Sequence, residues 1–305
     1  MIGEVISQVS VERLRWDLFR LCRDPLPFRK VNYTVPGHAL CSLDEADGLI
    51  AAELAAAGLA VVRTPYRVQA FRCDETKPLH HWYSKPAPED PWYTACNLEA
   101  TLPGHEKPEE IIQLVSHKDS MSWIDSPGAH DNGTGTVVNL ELARILAGLK
   151  LRRTVRVLFC NEEHTPWTSR FAAAEAARRG DRIVAVLNQD SIAGKPDEAR
   201  AAGRLTHAAA YSTPEGREIA ELEDRLNREL NLGLDLNVWF KEYVNDDDGM
   251  FIKEGFARTV MNVGSCPYKD SQYHLVGDVP ERVDLENVRR SAQLVLAAIL
   301  ALDAE

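Results

Sequence analysis

In the stretch VRVLFCNEEHTPW, residues 155–167, an apolar run stops at two adjacent carboxylates, Glu162 and Glu163. Similar stops recur along the chain. His117 and Asp119 follow IIQLVS, Asp190 follows IVAVLNQ, Asp131 lies in the Gly-rich stretch GAHDNGTG, and His274 lies in SQYHLVGD. In open α/β sheets, ligands bind beyond the C-terminal ends of the strands, which is where most of these groups fall. One His, one Asp, one Glu, a second Asp and a second His make an N/O donor set that suits zinc or a similar divalent ion. Five ligands exceed the three plus water of a single catalytic zinc. They suit two ions if one Asp bridges, and two-metal hydrolytic sites hold their ions about 3.5–4 Å apart. Three carboxylates would leave a pair of divalent ions net positive, which lowers the pKa of a water between them. A lone Glu-Glu pair is ordinarily a solvated surface feature. Its place among other acidic strand ends argues otherwise.

Regular elements must deliver those groups. Leu14, Leu18 and Leu21 share one face of a helix over 9–23. Ser42 and Glu45 read as a capping box opening a helix over 43–57, which Gly58 ends. LAVVRTPYRVQAF then reads as a strand. The segment 74–93, rich in Pro, aromatics and charge, reads as a loop and a wall over a pocket. Beyond it, strands TACNLEATLPG and IIQLVSHKD precede helix TVVNLELARILAGLK. Strand TVRVLFCNEE precedes helix TSRFAAAEAARRG, and strand RIVAVLNQDS follows. A helix over 213–230, strand ARTVMNVGS and a terminal helix from about 284 complete the pattern. Apolar strands alternating with amphipathic helices predict one α/β domain over residues 1–305, with a mixed, mostly parallel sheet covered by helices on both faces. Residues 1–73 supply its first helices and strand. In D-N-G-T-G, Gly133 and Gly135 are expected to serve a tight turn and close helix–sheet packing, not phosphate binding.

Composition narrows the function classes. A net charge of −11 and pI near 5.4 argue against nucleic-acid binding, which needs clustered Lys and Arg. No stretch approaches the about 18 uninterrupted apolar residues of a membrane span, so no membrane partner is expected. The start MIGEVISQVS lacks the basic and apolar regions of a signal peptide, so the expectation is a cytoplasmic protein. Cysteines 22, 41, 73, 96, 160 and 266 form no CxxC pair and read as reduced thiols. His80, His81, His130, His164 and His207 lack comparable partners and are expected at the surface or in supporting roles.

The ordered set NLEATLPG, LVSHKDS, GAHDNGTG, FCNEEHTPWTS, LNQDS and YHLVGD resembles the M28 family of co-catalytic zinc peptidases, over about residues 95–280. The resemblance implies a zinc-exopeptidase (phosphorylase/hydrolase-like) fold holding two zinc ions. By that resemblance His117 and Asp190 hold one ion, Glu163 and His274 the other, and Asp131 bridges, often with a cis peptide to the next residue. Asp119 orients His117, Glu162 is the general base, and Tyr273 is placed to stabilise the oxyanion. The implied activity is that of an aminopeptidase acting on peptides or amino-acid derivatives. The acidic surroundings suit a substrate amine better than a carboxylate. Carboxypeptidase-like and glutaminyl-cyclase-like activities are the alternatives within the superfamily, with a non-catalytic binding protein beyond them. A carboxypeptidase needs a cation, for which Arg170 and Lys241 are available. His117 argues against the cyclase, whose relatives do not preserve that ligand. Departures surround the motifs. Ser116 stands for the usual Gly before the His, Asn161 for the Gly before the Glu pair, Asp246-Asp247-Asp248 for S-D-H, and Leu275-Val276 for Thr-Pro.

Overall fold

Alternation along β5, Lys107–His117, sets the architecture. Ile112 and Leu114 enter one apolar core, while Val115 enters another on the opposite face. Successive strand side chains point to opposite faces, so a strand apolar on both needs helices above and below. The neighbouring β6, Arg153–Cys160, repeats the pattern, with Val155, Val157 and Phe159 on the first face and Leu158 and Cys160 on the second.

The computed structural model describes residues 2–305. In chain order, helices α1 (Ile2–Ile6), α2 (Val11–Cys22) and α3 (Ser42–Ala56) precede β1 (Val61–Ala70). Two short strands follow, β2 (Arg72–Cys73) and β3 (Tyr83–Ser84), then β4 (Tyr93–Leu102) and β5. An irregular turn at Ala129–Thr134 leads into α4 (Gly135–Ala147) and β6. Next come β7 (His164–Thr165), α5 (Thr168–Arg179), β8 (Arg182–Gln189), α6 (Asp197–Ala201) and β9 (Thr206–Tyr211). The chain closes with α7 (Pro214–Glu229), β10 (Asp235–Phe240), α8 (Asp246–Lys253), β11 (Thr259–Val263) and α9 (Leu285–Ala304).

Among the described residues, nine strands form one sheet in the order β10-β9-β11-β8-β5-β6-β4-β1-β7. Its central strands β11, β8, β5 and β6 all run parallel, and the antiparallel pairings lie outside them. The larger core lies under α2, α3, α4, α7 and α9; the smaller lies under α5 and α8. No helix is long and apolar enough to cross a membrane, among the described residues.

Two local expectations change. Ser42 is already inside α3, whose N-cap is Cys41, and no side chain caps that end. Ser42 Oγ instead donates to Lys30 O at 3.2 Å, and Glu45 pairs with His38 Nδ1 at 2.7 Å. Tertiary partners outcompete the local box because the N-terminal loop folds back across it. The segment 74–93 is held by the small β2–β3 hairpin, and His81 and Tyr83 in it do wall a cavity.

Candidate metal centre

Three adjacent parallel strands bring the predicted donors together. His117 is the last residue of β5, Glu162 and Glu163 follow β6, and Asp190 follows β8. The turn before α4 supplies Asp131, and the loop after β11 supplies His274. His117 Nε2 lies 3.1 Å from Asp131 Oδ1 and 3.5 Å from Asp190 Oδ1. His274 Nε2 lies 3.2 Å from Asp131 Oδ2 and 3.4 Å from Glu163 Oε1. The donors thus form two triads, His117–Asp131–Asp190 and Asp131–Glu163–His274, in each of which the ligand atoms lie within 4.8 Å of one another. Asp131 belongs to both, offering one oxygen to each.

Each imidazole is aimed by its other nitrogen. His274 Nδ1 donates to His80 O at 2.7 Å, which leaves Nε2 free to face the carboxylates. Tyr273 stacks on the His274 ring at 3.7 Å, and Trp123 meets it edge-on at 5.1 Å. His80 and His274 both hold positive φ, 74° and 58°. Such backbone is costly for a residue with a side chain and persists where its surroundings fix it. His117 Nδ1 lies 3.3 Å from Asp119 Oδ1.

Asp119 has a wider role than orienting His117. Its Oδ1 accepts from Glu162 N at 3.0 Å, and its Oδ2 from Glu163 N at 2.9 Å and His164 Nδ1 at 2.7 Å. One fully buried carboxylate therefore fixes the backbone of both glutamates. Burial pushes its carboxyl up, but the hydrogen bonds and charge of His117 and His164 outweigh it and hold the pKa well below the ordinary carboxylate range. His164, expected in a supporting role, has one.

Asp131 is held in the same manner. Asp278 accepts from Asp131 N at 3.1 Å, from His130 N at 2.9 Å and from His130 Nδ1 at 2.8 Å. The buried Arg29 guanidinium donates to the carbonyls of Leu21, Lys118, Pro127 and Gly128, clamping the approach to this turn. The peptide from Asp131 to Asn132 is cis. A Cβ on Gly135 would meet Gln189 O at 2.2 Å, so close packing of α4 on β8 requires glycine there. Asp278 and Arg29 are not among the residues singled out from the sequence. Asp278 carried a signal, four residues after His274 in the same motif; Arg29 carried none.

The electrostatics are those of a cation site. Burial pushes the Asp190 and Glu163 carboxyls up, against the opposing pull of His117 and His274. Burial also disfavours charge on the imidazoles, but the carboxylates prevail, raising His117 well above its ordinary range and His274 to about 10. A buried cluster that draws positive charge onto neutral bases fits an N/O-preferring divalent metal.

Glu162 differs from Glu163. Its Oε2 is buried without a hydrogen-bond partner among the described residues, and it lines a cavity of about 270 Å³ with the donors. Burial first, then Asp247 and Asp246, push its carboxyl well above the ordinary range. The acidic run at 246–248 begins α8. Asp246 lines the cavity, the buried Asp247 accepts from Cys160 Sγ at 3.1 Å, and Asp248 pairs with Lys241. Lys241 Nζ also contacts Asp246 at 3.2 Å, so this cation is committed to ion pairs. Tyr273 lines the cavity, and its carbonyl accepts from His80 Nδ1 at 2.6 Å.

A mixed sheet with donors gathered beyond its parallel strands defines an α/β fold of the exopeptidase type. Solved structures share it. An aminopeptidase from Aneurinibacillus sp. strain AM-1 superposes with a TM-score of 0.72 at 13% identity, covering 98% of this chain and 95% of that one. A Porphyromonas gingivalis glutaminyl cyclase does so with a TM-score of 0.70 at 16% identity, covering 95% and 97%. The chain belongs to Peptidase family M28, whose model matches residues 97–299. A probable aminopeptidase of Saccharomyces cerevisiae is 27% identical over 214 residues, 65% of this chain and 55% of that one. The chain spans about a third to just over half the length of the curated relatives it matches.

Proposed function

We propose that this protein is an aminopeptidase that holds two zinc ions and removes the N-terminal residue of peptides in the cytoplasm. The observation that carries the reading is the pair of triads sharing Asp131 beside the unpartnered oxygen of Glu162. His117 and Asp190 would hold one ion, His274 and Glu163 the other, and Asp131 both. Bound there, the ions would supply Lewis-acid polarisation of the scissile carbonyl and a water more acidic than bulk.

The chain's own residues do the rest. Glu162 takes a proton from the attacking water as the new C–O bond forms. It passes that proton to the leaving nitrogen as the C–N bond breaks. The raised affinity of Glu162 for a proton suits a group that must accept one and then release it. Asp119 accepts from the backbone N–H of Glu162 and of Glu163 and so keeps the two in register, Glu163 as the residue that would hold a metal and Glu162 as the base. Asp246 lines the cavity and belongs to neither donor triad, so its carboxylate is left to face a substrate ammonium. Lys241, which a carboxypeptidase could use to hold a terminal carboxylate, is neutralised by Asp246 and Asp248.

The test compares amino-acid amides with N-acetylated and C-terminal peptide substrates on zinc-loaded protein. Hydrolysis that requires the free amine is expected. Equal turnover of N-blocked substrates would refute the aminopeptidase reading, and a fully active protein with one ion per chain would refute the shared Asp131.

A further inference from the structure

A second cavity, of about 480 Å³, adjoins the metal cavity, and the two share Phe71, Tyr83 and Trp167. One of its walls is Thr165-Pro166-Trp167, which begins two residues after Glu163. Lys77, Lys85 and Arg170 stand at its rim and Met250 lines it. Lys77 is occupied, donating to Tyr83 O at 2.6 Å. Lys85 and Arg170 are exposed and make no ion pair or side-chain hydrogen bond among the described residues, in a chain whose net charge is −11. The metal cavity is lined instead by carboxylates, those of Asp131, Glu162, Glu163, Asp190 and Asp246.

Chemistry orients a substrate across this pair of cavities. Glu162 has to reach the leaving nitrogen, so the leaving portion lies on the Glu162 side, and Trp167, five residues beyond Glu162, lines both the metal cavity and the second one. We propose that this cavity receives the residue just beyond the scissile bond and that Lys85 and Arg170 bind a carboxylate there. The inference rests on the aminopeptidase reading and names its substrate class: short peptides with an ammonium at one end and a negative charge close after the bond to be cut. That carboxylate has two sources, the C-terminus of a dipeptide or an Asp or Glu side chain.

Four probes separate them on the zinc-loaded protein: Leu-Ala, Leu-Ala-amide, Leu-Glu-amide and Leu-Lys-amide. Exposed cations give modest gains, so a kcat/KM advantage of about tenfold over Leu-Ala-amide is expected for one or both carboxylate substrates. Leu-Lys-amide should be the poorest. An advantage confined to Leu-Ala assigns the cavity to a C-terminal carboxylate; one confined to Leu-Glu-amide assigns it to an acidic side chain. In the double variant Lys85→Gln/Arg170→Gln the advantage should shrink to within twofold. Lys150→Gln, which removes a charge after α4 at the opposite end of the sheet, should leave it intact. Equal rates for charged and neutral probes in the wild-type protein overturn the proposal, as does an advantage that survives the double variant. Failure of the aminopeptidase reading shows differently, as no free-amine requirement or no hydrolysis of any of the four probes, and the proposal falls with it.

Discussion

Glu162 and Glu163 are neighbours in sequence with different environments. Glu163 Oε1 lies 3.4 Å from a histidine that shares its donor triad, whereas Glu162 Oε2 has no hydrogen-bond partner among the described residues. The two should therefore fail differently. Glu162→Gln is expected to retain its metal and lose about 10²–10⁴-fold in kcat, the contribution of a positioned base. Glu163→Gln should lower metal content and regain part of its activity with added zinc. Metal analysis beside kinetics checks both, and wild-type turnover in Glu162→Gln would remove that residue from the chemistry. At this scale the sequence was informative because His117, the Glu162–Glu163 pair and Asp190 each come at the end of an apolar strand, a pattern visible without coordinates. The groups that hold the donors were harder to see. Arg29 binds carbonyl oxygens, and nothing in the local sequence announces which backbone a buried guanidinium will meet.

Among the elements, the end of β5 shows how one strand serves the site on one face and the scaffold on the other. Lys118 lies between His117 and Asp119 but is turned away from the metal cavity. Its Nζ meets Asp47 Oδ1 of α3 at 2.8 Å and donates to Asn161 Oδ1, the residue before Glu162, at 2.7 Å. Both side chains of the ion pair are buried. Breaking a buried pair from one side leaves a stranded charge, so Lys118→Met should destabilise the protein by about 3–5 kcal/mol. Lys118→Met/Asp47→Leu should recover much of that loss. Denaturant unfolding measures all three proteins, and a double variant no better than Lys118→Met would contradict the account. The major helices and central strands were readable from periodicity, because each buries an apolar face. The capping box at Ser42 was not realised, since a folded-back loop competes for the same hydroxyl. Strands β9 and β10 escaped sequence analysis for another reason. THAAAY offers small side chains instead of the β-branched run expected of a strand, and DLNVWF is a mostly exposed edge.

For the whole molecule, stability should depend on pH through a fully buried network of Glu223, His207 and Asn262. Glu223 of α7 is fully buried, and the Asn262 amide atom that faces it lies 2.8 Å from Glu223 Oε2 and 2.9 Å from His207 Nε2. Burial pushes the Glu223 carboxyl up to about 8 and the His207 imidazole down to about 4. At neutral pH both are uncharged. A protonated Glu223 and the His207 Nε2–H then donate to Asn262 Oδ1, while Asn262 Nδ2 stays with Gln189 Oε1 at 3.4 Å. The two groups act with opposite signs. Glu223 binds its proton more tightly folded than unfolded, so its contribution is complete below its unfolded value of 4.5 and is lost as pH rises to about 8. His207 binds its proton less tightly folded, so its contribution is present above 6.5 and is lost as pH falls toward about 4. Between 4.5 and 6.5 the slopes oppose each other; from 6.5 to about 8 only the Glu223 loss remains. Glu223→Gln keeps a donor toward Asn262 and cannot ionise. The unfolding free energy of metal-loaded wild type should therefore fall relative to Glu223→Gln by on the order of a few kcal/mol between pH 5 and 9. Comparing the two proteins at each pH cancels the titration of the metal centre, which they share. Parallel curves over that range would show that Glu223 ionises freely in the folded protein, and the network would then have to be redrawn with a charged carboxylate and a turned Asn262 amide.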